Sequence, residues 1–367
     1  MPLHDVGYRA WEGVLRPRAA AVVIAGTGIR LAWKSRWLRR VMLFAWSPAL
    51  MFAGGFFAFE QAVEDGSIAA GRDATRRLDG FGLVGRLVAT SLGGQLDDPE
   101  AARRIVWSRL LLAFMRAPQA VLLAVVVGLV APRLIAGDLR ARAWLVYFTR
   151  PVSRSDYILG KFGVLAAIVT VITLLPALVL WLVGVLVSPS LAVALATWDL
   201  PLRIIAAAVA VTIPTVLLAL AYSSLTAESR IATFAWFATW VACWIAHGAL
   251  AGADMAAATR PQGGAAVDAD PYAEDPPSEH PPSEDPSAVM PRHAQQFNWL
   301  ARAAGIDNSV DRWAWLSLYH AQGVVQAWIF GIEQRILVVL PPLASLVAVA
   351  LGSLGVLLVR VEAPARA

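Results

Sequence analysis

Apolar residues in this chain gather in long runs, not in the alternation of a strand or the one-sided stripe of a soluble helix. Six runs approach or exceed the roughly 20 residues a helix needs to cross a bilayer, at about 41–59, 118–135, 162–187, 200–222, 231–250 and 336–359. Polar residues bound them: Glu60 closes the first, Lys161 precedes the third and Arg360 follows the sixth. The pattern predicts an all-α, polytopic membrane protein with six transmembrane helices. Pro48, Pro176 and Pro214 fall inside the first, third and fourth runs and predict kinks. The stretch from about Ile105 to Pro118, interrupted by Arg109 and Arg116, reads as an amphipathic lead-in to the second span.

The segments between the runs carry the polarity. Residues 1–40 hold Arg9, Arg16, Arg18, Arg30, Lys34, Arg36, Arg39 and Arg40 against Asp5 and Glu12. Ala19 to Ile29 is apolar but too short to span, has basic flanks and leads to no cleavage site, so it is neither a span nor a signal peptide. Joined to Arg30–Leu38 it predicts an interfacial amphipathic helix before the first span, anchored by Trp33 and Trp37 at i and i+4; a loosely ordered basic tail is the alternative. Residues 61–104 are expected to form an outside loop with one or two short helices, Asp97-Asp98-Pro99-Glu100 marking a helix start. The links 188–199 and 223–230 are short and predict antiparallel neighbours. Residues 252–335 form the expected outer loop. Its insert 268–286 has seven acids, six prolines and no Lys or Arg, a composition that stays disordered. His280 and the carboxylates around it lack the ligand spacing of a metal loop. Trp299 to Glu333 regains helical character, as for an amphipathic helix resting at the outer interface.

Composition agrees with this reading. The chain is 58% hydrophobic and 16% charged, where a soluble protein has about 25% charged residues. The net charge of +5 comes from basic residues beside apolar runs, which reads as topology and not as a nucleic-acid surface. The positive-inside rule then places 1–40, 136–161 and both termini in the cytoplasm. The single cysteine, Cys243, excludes an intramolecular disulfide. The two lysines, Lys34 and Lys161, sit in no phosphate-binding loop, and no His-Glu-x-x-His or Gly-x-Ser-x-Gly pattern occurs. Glu60, Arg116, Arg203 and His247 lie near span ends, where long side chains reach the interface.

The cytoplasmic segment 136–161 is the most structured of the polar stretches. After the hinge-capable Gly137, Asp138 and Arg142 stand at i and i+4, while Leu139, Ala143, Val146 and Tyr147 recur along another face, predicting a short amphipathic helix. Arg150-Pro151 ends it. Ser153 and Asp156 have the spacing of a capping box that opens the third span, and Gly160 permits close packing. Two readings fit these residues equally: a docking surface, or a well-capped loop whose arginines set topology.

Ile135-Ala-Gly-Asp-Leu-Arg-Ala-Arg-Ala143, followed by Tyr147-Phe-Thr-Arg-Pro-Val-Ser-Arg-Ser-Asp-Tyr-Ile-Leu-Gly-Lys161, resembles the cytoplasmic signature of permease subunits of ABC-2 type transporters. The six-span layout and the basic helix before the first span are similar too. The resemblance implies a permease subunit of an ATP-driven exporter, with Asp138, Arg140, Arg142, Arg150, Pro151, Ser153, Arg154 and Tyr157 contacting an ABC ATPase subunit. It further implies no catalytic residue, metal or cofactor in this chain, ATP and Mg being held by the partner. The other expected partners are a second permease copy, as a homodimer, or a similar permease, and the lipid bilayer of a prokaryotic plasma (inner) membrane. The 252–335 loop is longer than that family's layout leads one to expect. A non-transporting membrane anchor or scaffold is the alternative function; a secondary transporter is disfavoured by the lack of mid-membrane acids.

Overall fold

The computed structural model describes residues 19–64, 78, 82–92, 99–143, 152–258, 302–304 and 312–362. Among them the secondary structure is helical, without strands. The principal helices are α1 (Ala20–Trp33), α2 (Arg36–Ala45), α3 (Ser47–Glu64), α4 (Gly82–Leu92), α5 (Pro99–Arg116), α6 (Pro118–Arg140), α7 (Arg154–Ile172), α8 (Leu174–Val187), α9 (Ala192–Ala196), α10 (Asp199–Leu225), α11 (Ser229–Ala258), α12 (Leu318–Ile329) and α13 (Ile336–Glu362). Six stretches of the described residues are long and apolar enough to cross a membrane: Arg36–Glu64, Glu100–Arg140, Arg154–Val187, Asp199–Leu225, Ser229–Asp254 and Ile336–Val361. The acidic insert 268–286 lies outside the described residues.

Three of these stretches are each two helices meeting at a proline. α2 gives way to α3 at Trp46, ahead of Pro48; α5 to α6 at Ala117, ahead of Pro118; α7 to α8 at Thr173, ahead of Pro176. Proline cannot donate to the helix ladder, and in lipid no water takes the vacated carbonyl. Side chains fill these gaps. The Ser47 hydroxyl donates to the Phe44 carbonyl (2.8 Å), four residues before Pro48. Gln119 Nε2 donates across to the Ala45 carbonyl (2.9 Å), and Trp46 Nε1 to the Val171 carbonyl (3.1 Å). The three breaks are therefore at one height and joined to each other.

They separate two apolar clusters. One gathers α3, α4, α5, α8, the start of α10 and α12 around Phe52, Phe56, Phe59, Trp107 and Phe114. The other gathers α6, α7, the end of α10, Trp236 of α11 and Leu357 of α13. Among the described helices only α10 runs unbroken through both, and it is the central post: 67% of its most apolar window is buried, against 11% for the peripheral α11.

α5 differs from the expected amphipathic lead-in. Val106, Trp107 and Leu110–Phe114 are fully buried, because α5 is surrounded by α3, α4, α6, α8 and α12. Its arginines are absorbed one by one. Arg103 pairs bidentately with Glu60 (2.8 and 2.9 Å), to which Trp107 Nε1 also donates (3.2 Å). Arg109 donates to the Ser91 carbonyl and Arg116 to the Arg302 carbonyl. At 41 residues, Glu100–Arg140 is about 60 Å of helix, twice a hydrocarbon core of about 30 Å. The α5 end accordingly rises beyond the spanning part.

Two further expectations change. The single N-terminal helix is two pieces. Ser35 accepts from the Leu38 amide (3.3 Å) and starts α2 afresh, so Trp33 and Trp37 sit on different helices. α2 is the amphipathic one, burying Leu38, Met42 and Ala45 and exposing Arg36, Arg39 and Arg40. α1 lies lengthwise on α7, where a Cβ at Gly160 would meet Ile24, and its outer face is apolar (Val22, Val23, Leu31). α12 likewise does not rest on the surface. It inserts among α10, α11, α13 and α5, burying Ala321, Gln322, Val325 and Gln326, with Gln322 Nε2 donating to Thr215 Oγ1 of α10 (2.8 Å). The polar Gln and Thr positions give one face of this helix a protein-lined setting that its Trp and Tyr content alone did not reveal, while Trp328 stays exposed.

Glu60 is 1% exposed and its partner Arg103 is 7% exposed. Replacing Glu60 by Gln leaves a buried guanidinium without its counter-charge, and the expected loss is about 3–5 kcal/mol. Thermal unfolding of the detergent-purified chain measures it, and Glu60→Gln/Arg103→Met recovering most of the loss identifies the cause as the orphaned charge.

Candidate functional site

The segment 136–161 is built from the end of α6 and the start of α7. α6 runs through Gly137 without a hinge and ends at Arg140. The Ala143 amide donates to the Asp138 carbonyl (2.9 Å) and the Arg142 amide to the Leu139 carbonyl (3.2 Å). That bond pair is the Schellman ending, in which the residue after the cap adopts left-handed geometry. Glycine usually fills it; here it is Arg142, at φ 50. A side chain in that region costs on the order of 1 kcal/mol, and the turn holds an exposed guanidinium there.

Because the chain turns at 142, the expected Asp138–Arg142 pairing along one helix face does not form among the described residues. Asp138 turns instead to α7. Its Oδ2 accepts from the Tyr157 hydroxyl (2.8 Å) and lies 2.7 Å from Lys161 Nζ. Tyr157 and Lys161 are one helical turn apart, the ammonium 5.4 Å from the tyrosine ring centroid. Both are buried, at 2% and 8% exposure, so this is a closed polar clasp and not a pair of solvated charges. Lys161, read from sequence as an interface marker, is Asp138's counter-charge. The i, i+4 spacing of Tyr157 and Lys161 was the available signal.

The expected capping box is present. Ser153 Oγ accepts from the Asp156 amide (3.1 Å), and Asp156 Oδ2 accepts from the Ser153 amide (3.3 Å) and hydroxyl (2.6 Å). Of the anticipated contact residues, Arg140 and Arg142 are exposed, Arg154 is half-buried, Ser153 is exposed within the cap, and Asp138 and Tyr157 face each other inside. Arg150 and Pro151, with the expected amphipathic continuation through Val146 and Tyr147, lie outside the described residues.

One turn before Asp138, α6 is fastened to the central helix. Pro132 lies inside α6, and the Ser223 hydroxyl of α10 enters the ladder there. It donates to the Pro132 carbonyl (3.0 Å) and accepts from the Ile135 and Ala136 amides (3.1 Å each), using its one proton and both lone pairs. Tyr222 OH and Thr239 Oγ1, 2.7 Å apart, continue the link from α10 to α11. The corner is thus tied directly to α7 and α10 and through them to α11. Sequence reading passed over Ser223, since a serine near a span end has no distinctive spacing.

Loss of the Tyr157 hydroxyl removes one bond to a carboxylate, and loss of the Ser223 hydroxyl strands two buried amides and a carbonyl. Tyr157→Phe is expected to lower stability by about 1.5 kcal/mol and Ser223→Ala by about 2–3 kcal/mol, read by thermal unfolding in detergent. Equal, negligible shifts for both would mean that the clasp and the serine link are not formed in solution.

A family model described as ABC-2 family transporter protein matches residues 36–359. A search of curated proteins finds no match to the chain.

Proposed function

The chain belongs to the ABC-2 family of transporter proteins, and on that premise we propose that it is the permease subunit of an ATP-driven exporter, moved by a separate ATPase that docks on the corner between α6 and α7. It is a multi-pass membrane protein and a membrane component of an ABC transporter. ATP and Mg belong to the ATPase subunits in this reading. The functional unit is a homodimer or a pair with a similar permease, in the plasma membrane of a prokaryote, with both termini cytoplasmic.

The observation that carries the proposal is the combination of exposure and attachment at one corner. Arg140 and Arg142 project from the end of α6, offering rigidly placed guanidinium groups to an acidic groove. The same turn is clasped to α7 through Asp138, Tyr157 and Lys161 and to α10 through Ser223. A push on the arginines therefore moves helix ends and not a slack loop. Arg154 and Ser153, at the start of α7, and Arg150 and Pro151 between the helices complete the proposed contact.

Copurification tests it. An ATPase with a phosphate-binding loop is expected to copurify with the chain, and Arg140→Glu/Arg142→Glu/Arg154→Glu to weaken its retention about a hundredfold, a ΔΔG of roughly 3 kcal/mol for reversed charges. Retention and ATPase rate unchanged by the triple substitution, or no ATPase partner at all, would leave a membrane anchor as the better account. A second expectation separates docking from transmission. Lys161→Met is to keep the ATPase bound and hydrolysing while substrate-linked stimulation of that rate is lost, because the substitution frees Asp138 without touching the exposed arginines.

A further inference from the structure

At the end of the bundle opposite the Asp138–Lys161 clasp, a cavity of about 410 Å³ opens between α4, α5, the start of α10 and the turn after α12. Three guanidinium groups line it against one carboxylate: Arg104, Arg109 and Arg203 with Asp199. Arg203 Nε donates to Asp199 Oδ2 (3.0 Å) and its Nη1 to the Ile329 carbonyl (3.0 Å). Arg104 Nη2 donates to the Ala196 carbonyl (2.7 Å) and stands 3.6 Å from Asp199 Oδ1. Arg109 meets no carboxylate among the described residues; its Nη1 donates to the Ser91 carbonyl (2.9 Å), and its buried Nε finds no acceptor among them.

The neighbouring acid does not compensate. Glu333 is committed to Arg335 by two bonds (2.9 and 2.8 Å), which hold its carboxyl below the usual carboxylate range. The backbone is shaped to the arginines as well: Gly331 has φ 77, and a Cβ there would crowd Arg203 Nη1. Guanidinium groups do not lose their protons, so among the described residues the cavity carries surplus positive charge and spare N–H donors. Donors converging from α5 and α10 match an acceptor with several oxygens around one centre, which a phosphate provides.

Beside the polar Ser91, Ser108 and Gln334, the lining has an apolar part. Leu92, Ile105, Phe330 and Ile332 line the cavity. Beside Asp199 and Arg203, the side chains of Leu191, Leu195, Trp198 and Leu202 are 56–79% exposed. An exposed tryptophan among leucines next to arginines is the composition of a membrane–water interface, where lipid headgroups lie. We propose that this cavity binds the phosphate headgroup of a membrane amphiphile, its chains running over Leu191, Leu195 and Leu202. Binding is measured on the full chain alone, so the proposal stands or falls independently of the ATPase.

The test is native mass spectrometry of the detergent-purified chain titrated with phosphatidylglycerol, with diacylglycerol of the same chains, and with inorganic phosphate. Phosphatidylglycerol is expected to bind more tightly than diacylglycerol, and Arg109→Gln to weaken it about tenfold with diacylglycerol binding unchanged. Arg104→Gln, at a half-exposed position, gives the same direction of change should Arg109→Gln fail to fold. Inorganic phosphate at millimolar concentration is expected not to displace the lipid. Displacement by phosphate as tight as the lipid itself would overturn the amphiphile in favour of a free anion. Phosphatidylglycerol retained equally by wild type and both variants would overturn the site.

Discussion

A backbone carbonyl or amide released inside a bilayer has to be satisfied by the protein, since lipid offers it nothing. Everything distinctive in this structure follows from how that requirement is met. Prolines stand at breaks in three spans at one height; Ser47 takes the Phe44 carbonyl that Pro48 vacates, and Gln119 and Trp46 bond the Ala45 and Val171 carbonyls beside the breaks. Two of these bonds cross between helices, so the breaks are locked to one another instead of being three independent weak points. On one side of that height one apolar cluster holds the half that carries the α6–α7 corner together, and on the other side another, rich in aromatic rings, holds the opposite half. Closely packed clusters of this kind move as blocks. The level of the breaks is where one block can tilt against the other.

Spans and the cap of α7 could be read in advance because each depends on residues close together in sequence. Twenty-residue apolar runs and a serine three residues before an aspartate are local signals. What escaped reading depends on partners far along the chain. Arg109 and Arg116 made α5 look like a surface lead-in, yet they reach the Ser91 and Arg302 carbonyls of other segments. The Trp and Tyr content of Trp299–Glu333 implied an interfacial helix, whereas Gln322 finds Thr215 within the bundle. Asp138 was matched to Arg142 by spacing and found Lys161 instead, because a left-handed residue at 142 ended the helix. In each case a polar side chain that looked solvent-bound had a distant carbonyl, hydroxyl or ammonium to meet.

The two ends of the molecule use arginine differently, and the difference follows from neutralisation. At the α6–α7 corner, the half-buried Asp138 meets the buried Lys161, and Asp156 is used as the cap of α7. Arg140 and Arg142 are left in solvent, where a free guanidinium costs nothing and can be offered to a protein partner. In the cavity at the other end, Arg104 and Arg203 meet Asp199 while Arg109 meets no carboxylate among the described residues, all in a partly enclosed setting. There the imbalance itself calls for a ligand, and Trp198 beside it indicates the depth at which that ligand lies.

α10 connects the two. It passes unbroken through both clusters, bears Asp199 and Arg203 at one end and Ser223 at the other, and lies against α6, α7, α8, α11, α12 and α13. Its 27 residues make a rod of about 40 Å. In the proposed mechanism, displacement of the corner pulls on Ser223, whose hydroxyl is built into the α6 ladder at Pro132. The broken spans absorb that displacement at their breaks, but α10, which stays one continuous helix through Pro214, delivers it to Asp199 and Arg203 at the cavity. The same helix that the fold needs as its most buried post is then the element that relates events on one side of the membrane to the arginines on the other.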